Sequence, residues 1–339
     1  MPGHMRCPIP LVLFFTVLVL LTLPVSAHAP LAAGENQNLA HATLIPDPLK
    51  SYVVYGHLHE PGEAAYFRME LARGDRLVLA VNVNRADSPV PDLVVMGPGI
   101  EPLQVPLSLE IPPGSGVRVI PGAPPAKGEY EPFSPSVIYD MASFTTTIEE
   151  PGTYYAAVIA SGGETDYGFV VGYKEEFTAC EWLLIPASLV RIYLWEGQPW
   201  WAVAAPYLVV LLAGLGILAW QQKREGRARG TRAWLASLAG ILYLGTGAST
   251  AYQMLRALSL TGYTPESTLT LVFALIPILL GVWALRLGRP GLSPTRGMRL
   301  SLVAVGVLGL IAWAGLLGGP VFAIAAAILP KGSTGDGTG

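Results

Sequence analysis

Charged residues are scarce in this chain. They make up 13% of its 339 residues, while hydrophobic residues make up 52%. A typical soluble domain has about 25% charged residues, and the mean hydropathy here is +0.47. These values exclude a fully disordered chain and argue against a cytosolic enzyme, and the formal charge of −3 argues against a basic nucleic-acid-binding protein. The composition predicts a chain that lies partly in a lipid bilayer.

Cysteine is almost absent, since Cys7 and Cys180 are the two in the chain. Cys7 falls inside a predicted signal peptide, so the mature chain would keep one cysteine and could form no intrachain disulfide. An exported domain without disulfides must be stabilised by its own hydrophobic core. About 150 residues suffice for such a core.

Catalytic motifs are also missing. The sequence contains no G-x-S-x-G, H-E-x-x-H, P-loop or C-x-x-C motif. We therefore expect a protein that is not an enzyme, with no catalytic residues and no bound organic cofactor.

Residues 1–27 have the pattern of a secretory signal peptide. Arg6 precedes an apolar run from Leu11 to Leu23, and the small residues Val25-Ser26-Ala27 follow. The run is short for a bilayer of about 30 Å, which favours cleavage after Ala27. The alternative is an uncut membrane anchor.

Residues 50–174 have the pattern of an exported β-sandwich, after an N-terminal arm at 28–49. Short apolar runs of period two alternate with Gly and Pro turns, and no helical apolar face is present. This pattern predicts an all-β, antiparallel, jelly-roll-like sandwich in which most of 111–137 is a long loop. The predicted strands are Tyr52–His59, Ala64–Leu71, Arg76–Val83, Asp92–Met96, Gln104–Leu109, Gly116–Val119, Ser143–Ile148, Gly152–Ala160 and Gly168–Tyr173.

Three segments of this region, YFRMELARGDRLVLAVNV, PDLVVMGPG and FTTTIEEPGTYYAAVIASGGETDYGFVVGY, resemble the pre-peptidase C-terminal type of β-sandwich over residues 50–173. The resemblance implies an accessory module that binds proteins, glycans or calcium rather than one that catalyses. The acidic pair usual before the Leu strand is reduced here to Pro91-Asp92, so the resemblance does not carry a calcium site with it.

Residues 175–201 are rich in tryptophan and link the sandwich to the membrane part. Apolar residues recur at helical spacing from Trp182 to Tyr193, and Trp195, Trp200 and Trp201 accompany them. Aromatic rings of this kind favour the bilayer interface, so a short helix lying on the outer membrane surface is predicted. The alternative is an ordinary helix packed within the exported domain.

Residues 202–330 predict a four-helix membrane domain, followed by a disordered tail at 331–339. The predicted spans are Ala202–Trp220, Trp234–Leu255, Leu269–Leu285 and Leu300–Ile328. The loops 221–233 and 286–299 carry nine basic residues, whereas the loop 256–268 carries one, so the two basic loops are predicted to be cytoplasmic. Four spans then place both the sandwich and the C-terminal tail outside the cytoplasm.

These spans contain no Asp, Glu, Lys, Arg or His. Ion-coupled transporters and intramembrane proteases need ionisable groups at depth, so both classes are disfavoured. The neutral polar residues Thr246, Ser249, Thr250 and Gln253 are typical of interhelical hydrogen bonds, although a ligand site remains the alternative.

Histidine is the one residue type that suggests chemistry. In a strand His57 and His59 project from the same face, so their rings could share a metal. Cleavage after Ala27 would make His28 the first residue, whose amine and imidazole could chelate copper. The alternative is that His57 and His59 face water at the end of a strand and that His28 begins a flexible arm.

The sequence therefore predicts a non-enzymatic, multi-pass cell-membrane protein whose exported sandwich binds an extracellular protein or glycan, or assembles into a homo- or hetero-oligomer. The lipid bilayer is an expected partner and nucleic acid is not. The alternative function is copper handling through His28, His57 and His59.

Overall fold

The computed structural model describes residues 28–101, 109–226, 228–292 and 295–329. Within them the chain divides into two compact units. The first unit contains two β-sheets and the helix that follows them. The second contains the remaining helices, except that residues 257–264 group with the first unit. The predicted signal peptide, the predicted strand at Gln104–Leu109, apart from Leu109, and the predicted tail fall outside the described residues.

In the described residues, the first unit has eleven strands in two sheets. Their bounds are β1 Ala29–Ala32, β2 Thr43–Leu44, β3 Tyr52–Leu58, β4 Ala64–Leu71, β5 Arg76–Val83, β6 Pro91–Gly97, β7 Gly116–Ile120, β8 Glu129–Glu131, β9 Ser136–Thr147, β10 Gly152–Ala160 and β11 Thr165–Val171. One sheet has the order β1-β3-β11-β5-β9-β8 and the other has the order β2-β4-β10-β6-β7.

Apolar side chains from both sheets form one core between them. Phe67 on β4 stacks on Phe169 on β11 with ring centroids 4.0 Å apart, and Tyr167 meets the same ring edge-on. Leu79 and Val95 belong to the same cluster and are fully buried. Alternate residues along each strand point into this core, as the period-two pattern requires. The predicted two-sheet β domain is therefore confirmed.

The structure corrects the strand prediction in the N-terminal arm and in the predicted loop 111–137. The arm at 28–49 contributes β1 and β2, and each pairs in parallel with an inner strand, so the sheets are mixed rather than fully antiparallel. The predicted strand Gly116–Val119 is confirmed as β7, whereas the rest of the predicted loop 111–137 contains β8 and the start of β9. Short edge strands escape detection because they are fixed by pairing to a neighbour, not by a hydrophobic period of their own.

The first helix, α1, spans Ala179–Trp195 and packs within the sheet unit. Thr178 caps it: the Thr178 hydroxyl accepts from the Glu181 N–H at 3.2 Å, while the Glu181 carboxylate accepts from the Thr178 N–H at 2.7 Å. The same carboxylate binds the Lys50 ammonium at 2.8 Å. For residues 175–201, these contacts favour the alternative prediction, a helix packed within the exported domain, over a helix that lies only on the membrane surface.

Five further helices follow in the part of the chain that the structure describes. They are α2 Trp200–Glu225, α3 Thr231–Thr261, α4 Ser267–Leu287, α5 Arg296–Ile311 and α6 Gly318–Ile328. Within the described residues, α2 and α4 have the length and apolar composition needed to cross a bilayer. The four spans that the sequence predicts are therefore not supported by helix length and composition.

The predicted fourth span is wrong as a single helix, because residues 296–328 form the hairpin α5–α6. Positive φ angles at Trp313, Leu316 and Leu317 reverse the chain between the two helices. Gly306 lets them approach closely, since a Cβ there would lie 2.5 Å from Ile324 Cγ1. The return places the end of α6 beside the beginning of α5.

Arginines hold that end in place. Arg232 Nε donates to the Ala326 carbonyl at 3.1 Å, and Arg299 Nη2 donates to the Leu329 carbonyl at 3.0 Å. Cationic side chains satisfy the carbonyls that a helix C-terminus leaves unpaired, and they oppose its negative dipole end.

Candidate functional site at one end of the six-stranded sheet

Two histidines and three carboxylates gather at one end of the six-stranded sheet. We call His57, His59, Glu63, Glu164 and Asp166 the histidine–carboxylate cluster. The antiparallel register of β3 and β11 sets His57 directly opposite Asp166. Their side chains meet at 2.8 Å between Nδ1 and Oδ1, and His57 Nε2 lies 3.2 Å from a Glu164 oxygen.

The second histidine follows β3 and belongs to a turn. The ring centroids of His57 and His59 are 4.7 Å apart in an edge-to-face arrangement. Glu63 accepts from the His59 backbone N–H and lies 3.2 Å from its ring nitrogen. Although burial opposes it, these hydrogen bonds hold the pKa of Glu63 below its ordinary value.

Asp166 connects the cluster to the C-terminal end of α1. Asn84, just after β5, donates Nδ2 to Asp166 Oδ2 at 3.0 Å and to the Trp195 carbonyl at 2.7 Å. Ser88 in turn donates to the other amide atom of Asn84 at 3.2 Å. One carboxylate oxygen of Asp166 thus contacts His57. The other accepts from Asn84, which also donates to the Trp195 carbonyl at the end of α1.

Aromatic and acidic residues lie near the hydrogen bond between Asn84 and the Trp195 carbonyl. The Tyr55 ring packs on the Trp195 ring with centroids 4.6 Å apart. Burial raises the pKa of Tyr55, and the nearby Glu131 and Glu196 carboxylates raise it further. Burial likewise raises the pKa of Glu131 to about 7, with the charge of Glu175 adding to the effect.

The structure brings His57 and His59 together but does not bring His28 to them. His28 precedes β1 and its Nδ1 lies 2.5 Å from the Ser51 hydroxyl. Ser51 is six positions before His57 along the chain, which corresponds to about 20 Å in a strand. Among the described residues, no group of three or more His, Cys, Asp or Glu side chains has the arrangement of a metal site.

Sequence reasoning found the two clustered histidines and missed their partners. Glu164 and Asp166 lie more than 100 positions away from His57, so only the β3–β11 pairing brings them close. The spacing of His59 and Glu63 was the one local indication of a contact. A carboxylate four positions further along the chain can accept a hydrogen bond from the backbone N–H at the start of a turn. Asn84 and Trp195 carried no sequence signal that linked them.

No protein-family model matches the chain, and no curated protein matches it. Among solved structures, the chain is similar to PliG of Aeromonas hydrophila, a periplasmic lysozyme inhibitor of g-type lysozyme. The sequence identity is 10% and the TM-score is 0.24, and the match covers 44% of this chain and 100% of PliG. At that score the similarity carries no conclusion about function.

Proposed function

We propose that this protein is a non-enzymatic, multi-pass envelope protein whose sheet domain binds a basic protein partner outside the cytoplasm. The observation that carries the proposal is the histidine–carboxylate cluster. It presents three carboxylates and two imidazoles at one end of a compact domain, with Glu164 71% and His59 69% exposed. A cluster held in place by its own hydrogen bonds is preorganised for a partner's cations.

The charge of the sheet domain supports a basic partner. Residues 28–199 contain 21 acidic and 9 basic residues. A domain with this excess attracts positively charged proteins over several ångströms, and the attraction weakens as salt is added. A resemblance to pre-peptidase C-terminal modules, which bind rather than catalyse, points in the same direction.

The helical part supports a membrane location. In the proposed arrangement α2, α3 and α4 cross the bilayer, while the α5–α6 hairpin enters and returns on the cytoplasmic side. The loops after α2 and after α4 carry the basic residues that favour the cytoplasm. Three crossings starting from an exported sheet domain leave the hairpin on that same side.

The exposed face of α1 supports contact with the bilayer. Leu183, Leu184, Val190 and Leu194 are between 41% and 60% exposed and recur at helical spacing, on the face turned away from the sheets. α2 begins five residues after α1 ends. A helix that packs on the sheets through one apolar face and exposes a second suits the membrane interface.

Site-specific photocrosslinking in intact cells tests the function. A photoreactive residue replaces His59 in the cluster, and a matched one replaces the exposed Arg73 at the opposite end of β4. We expect a discrete crosslinked product from position 59 that fades as salt rises and is absent from position 73. Equal products from both positions, or none from position 59, would overturn the proposal.

A further inference from the structure

A cavity of about 350 Å³ lies within the helical unit, among α2, α3 and α4. Its wall is apolar and includes Ile217 on α2, Ile241 and Leu244 on α3, and Leu285 on α4. Volumes near 300 Å³ and above are in the range of small-molecule and lipid-chain pockets. The cavity is partly open, so a ligand can enter it.

Three arginines, Arg229, Arg286 and Arg289, line one end of this cavity, and no acidic residue of the described chain lines it. Residues 200–329 contain just two acids, Glu225 and Glu266, so the chain offers few carboxylates to neutralise this end. Clustered guanidinium groups beside an apolar wall suit an anionic group with an apolar tail.

Arg229 is fixed in position by three elements. Its Nη1 donates to the Gly288 carbonyl at 3.0 Å and to the Ser237 hydroxyl at 3.2 Å, and its Nη2 donates to the Gln221 side chain at 2.8 Å. Its Nε is buried and has no protein partner. The guanidinium is therefore held rigidly with a donor still unused.

We infer that this cavity binds an anionic phospholipid. The phosphate would lie against Arg229, Arg286 and Arg289, and one acyl chain would lie along the apolar wall. Arginine recognises phosphate through paired N–H donors, and basic pockets between helices on the cytoplasmic side are typical sites for anionic headgroups. The site rests on the membrane placement of the helical part proposed above.

Lipid retention by the purified full chain tests this site. The protein is exchanged into a neutral detergent and titrated with phosphatidylglycerol, phosphatidylcholine or inorganic phosphate, and native mass spectrometry counts the bound molecules. We expect one phosphatidylglycerol to be retained at least tenfold more tightly than phosphatidylcholine. Equal retention of the two lipids would overturn the inference, as would full displacement of the lipid by inorganic phosphate.

Three variants separate this site from general surface charge. Arg286→Gln/Arg289→Gln should weaken phosphatidylglycerol binding about tenfold, and Ile217→Trp should weaken it by filling the wall at a half-exposed position. Lys223→Gln/Arg224→Gln removes equal charge from residues that do not line the cavity, and it should change binding less than twofold. An equal loss in this control would show diffuse charge attraction and would overturn the site.

Alkaline extraction of cell membranes distinguishes the two proposals. If the chain is released into the soluble fraction, the membrane placement itself is wrong and the lipid site is wrong with it. If the chain stays in the membrane and the lipid titration fails, the lipid site alone is wrong.

Discussion

Arg232, in the first turn of α3, donates Nη2 to the carbonyl oxygen of Leu329 at the end of α6, at 2.5 Å. This contact places the beginning of α3 and the end of α6 on the same side of the helical unit. Arg232 belongs to a loop that is predicted to be cytoplasmic, so Leu329 is expected to be cytoplasmic too. The sequence had predicted the opposite for the C-terminus.

The first prediction follows from this contact. Reporters placed after Lys331 and near Arg227 should both behave as cytoplasmic, because the hairpin α5–α6 returns the chain to its starting side. A pair of reporters, one active only in the cytoplasm and one active only outside it, measures this. An active external reporter after Lys331 would show that the hairpin does not form in the membrane.

The second prediction concerns the part that α1 plays in the sheet unit. A fragment of residues 28–198 should unfold cooperatively in urea without dependence on reducing agent, since it contains one cysteine. A fragment of residues 28–174 loses the Lys50–Glu181 ion pair and the Tyr55–Trp195 contact. Its free energy of unfolding should be lower by about 2–4 kcal/mol. Equal midpoints for the two fragments would mean that α1 does not stabilise the sheets.

The third prediction tests Asp166 as the residue that joins the cluster to α1. Asp166→Ala leaves His57 and Asn84 without their shared acceptor. In the full-length protein, it should lower the free energy of unfolding of the sheet domain by about 1–3 kcal/mol. Glu164→Gln is the matched control, since its carboxylate is 71% exposed, and it should cost less than about 0.5 kcal/mol. Urea unfolding followed by tryptophan fluorescence measures both, and similar losses would remove the special role of Asp166.

The fourth prediction concerns copper. Because His28 lies about 20 Å along the strand from His57, the three histidines should not share one ion. Copper titration of the processed protein should give the same affinity and stoichiometry for the parent and for His57→Ala/His59→Ala. Electron paramagnetic resonance of the copper complex checks the ligand set. If the double variant loses nitrogen ligands, the prediction is wrong and the histidines share one copper ion.

The fifth prediction uses the pKa of Glu131. Its folded pKa of about 7 exceeds the ordinary value of 4.5, so the folded state binds more protons than the unfolded state between those two pH values. The contribution of Glu131 to stability should therefore fall as pH rises from 4.5 to 7 and stay unfavourable above 7. Glu131→Gln should stabilise the sheet domain at pH 8 by roughly 1–2 kcal/mol and change little at pH 4.

Thermal or urea unfolding at several pH values gives the comparison. Glu149→Gln, at an exposed position after β9, is the control and should leave the pH dependence unchanged. If the parent and Glu131→Gln differ equally at pH 4 and pH 8, the carboxyl of Glu131 does not titrate within this window.

The sequence by itself determined the parts that depend on local pattern. Strands β4, β5 and β10 match their predicted bounds because alternate side chains of each strand enter the core between the sheets. Gly74 illustrates why the turns could be predicted from the sequence. Its φ of +90° is a conformation that glycine adopts without strain. The same reasoning predicted that the His57 and His59 rings lie close together, although β3 ends at Leu58 and His59 lies in the turn after it rather than on the strand face.

Only the tertiary structure decided what depends on distant partners. The edge strands β1 and β2 are fixed by pairing with β3 and β4, and Asp166 meets His57 only because β11 returns beside β3. The fourth hydrophobic stretch has the composition of one long span, yet it folds back at Trp313 and is anchored by Arg232, which lies far away in the sequence. Hydrophobicity shows that a segment is buried or lies in lipid, but the direction of the chain is set by turns and by the donors that satisfy its helix ends.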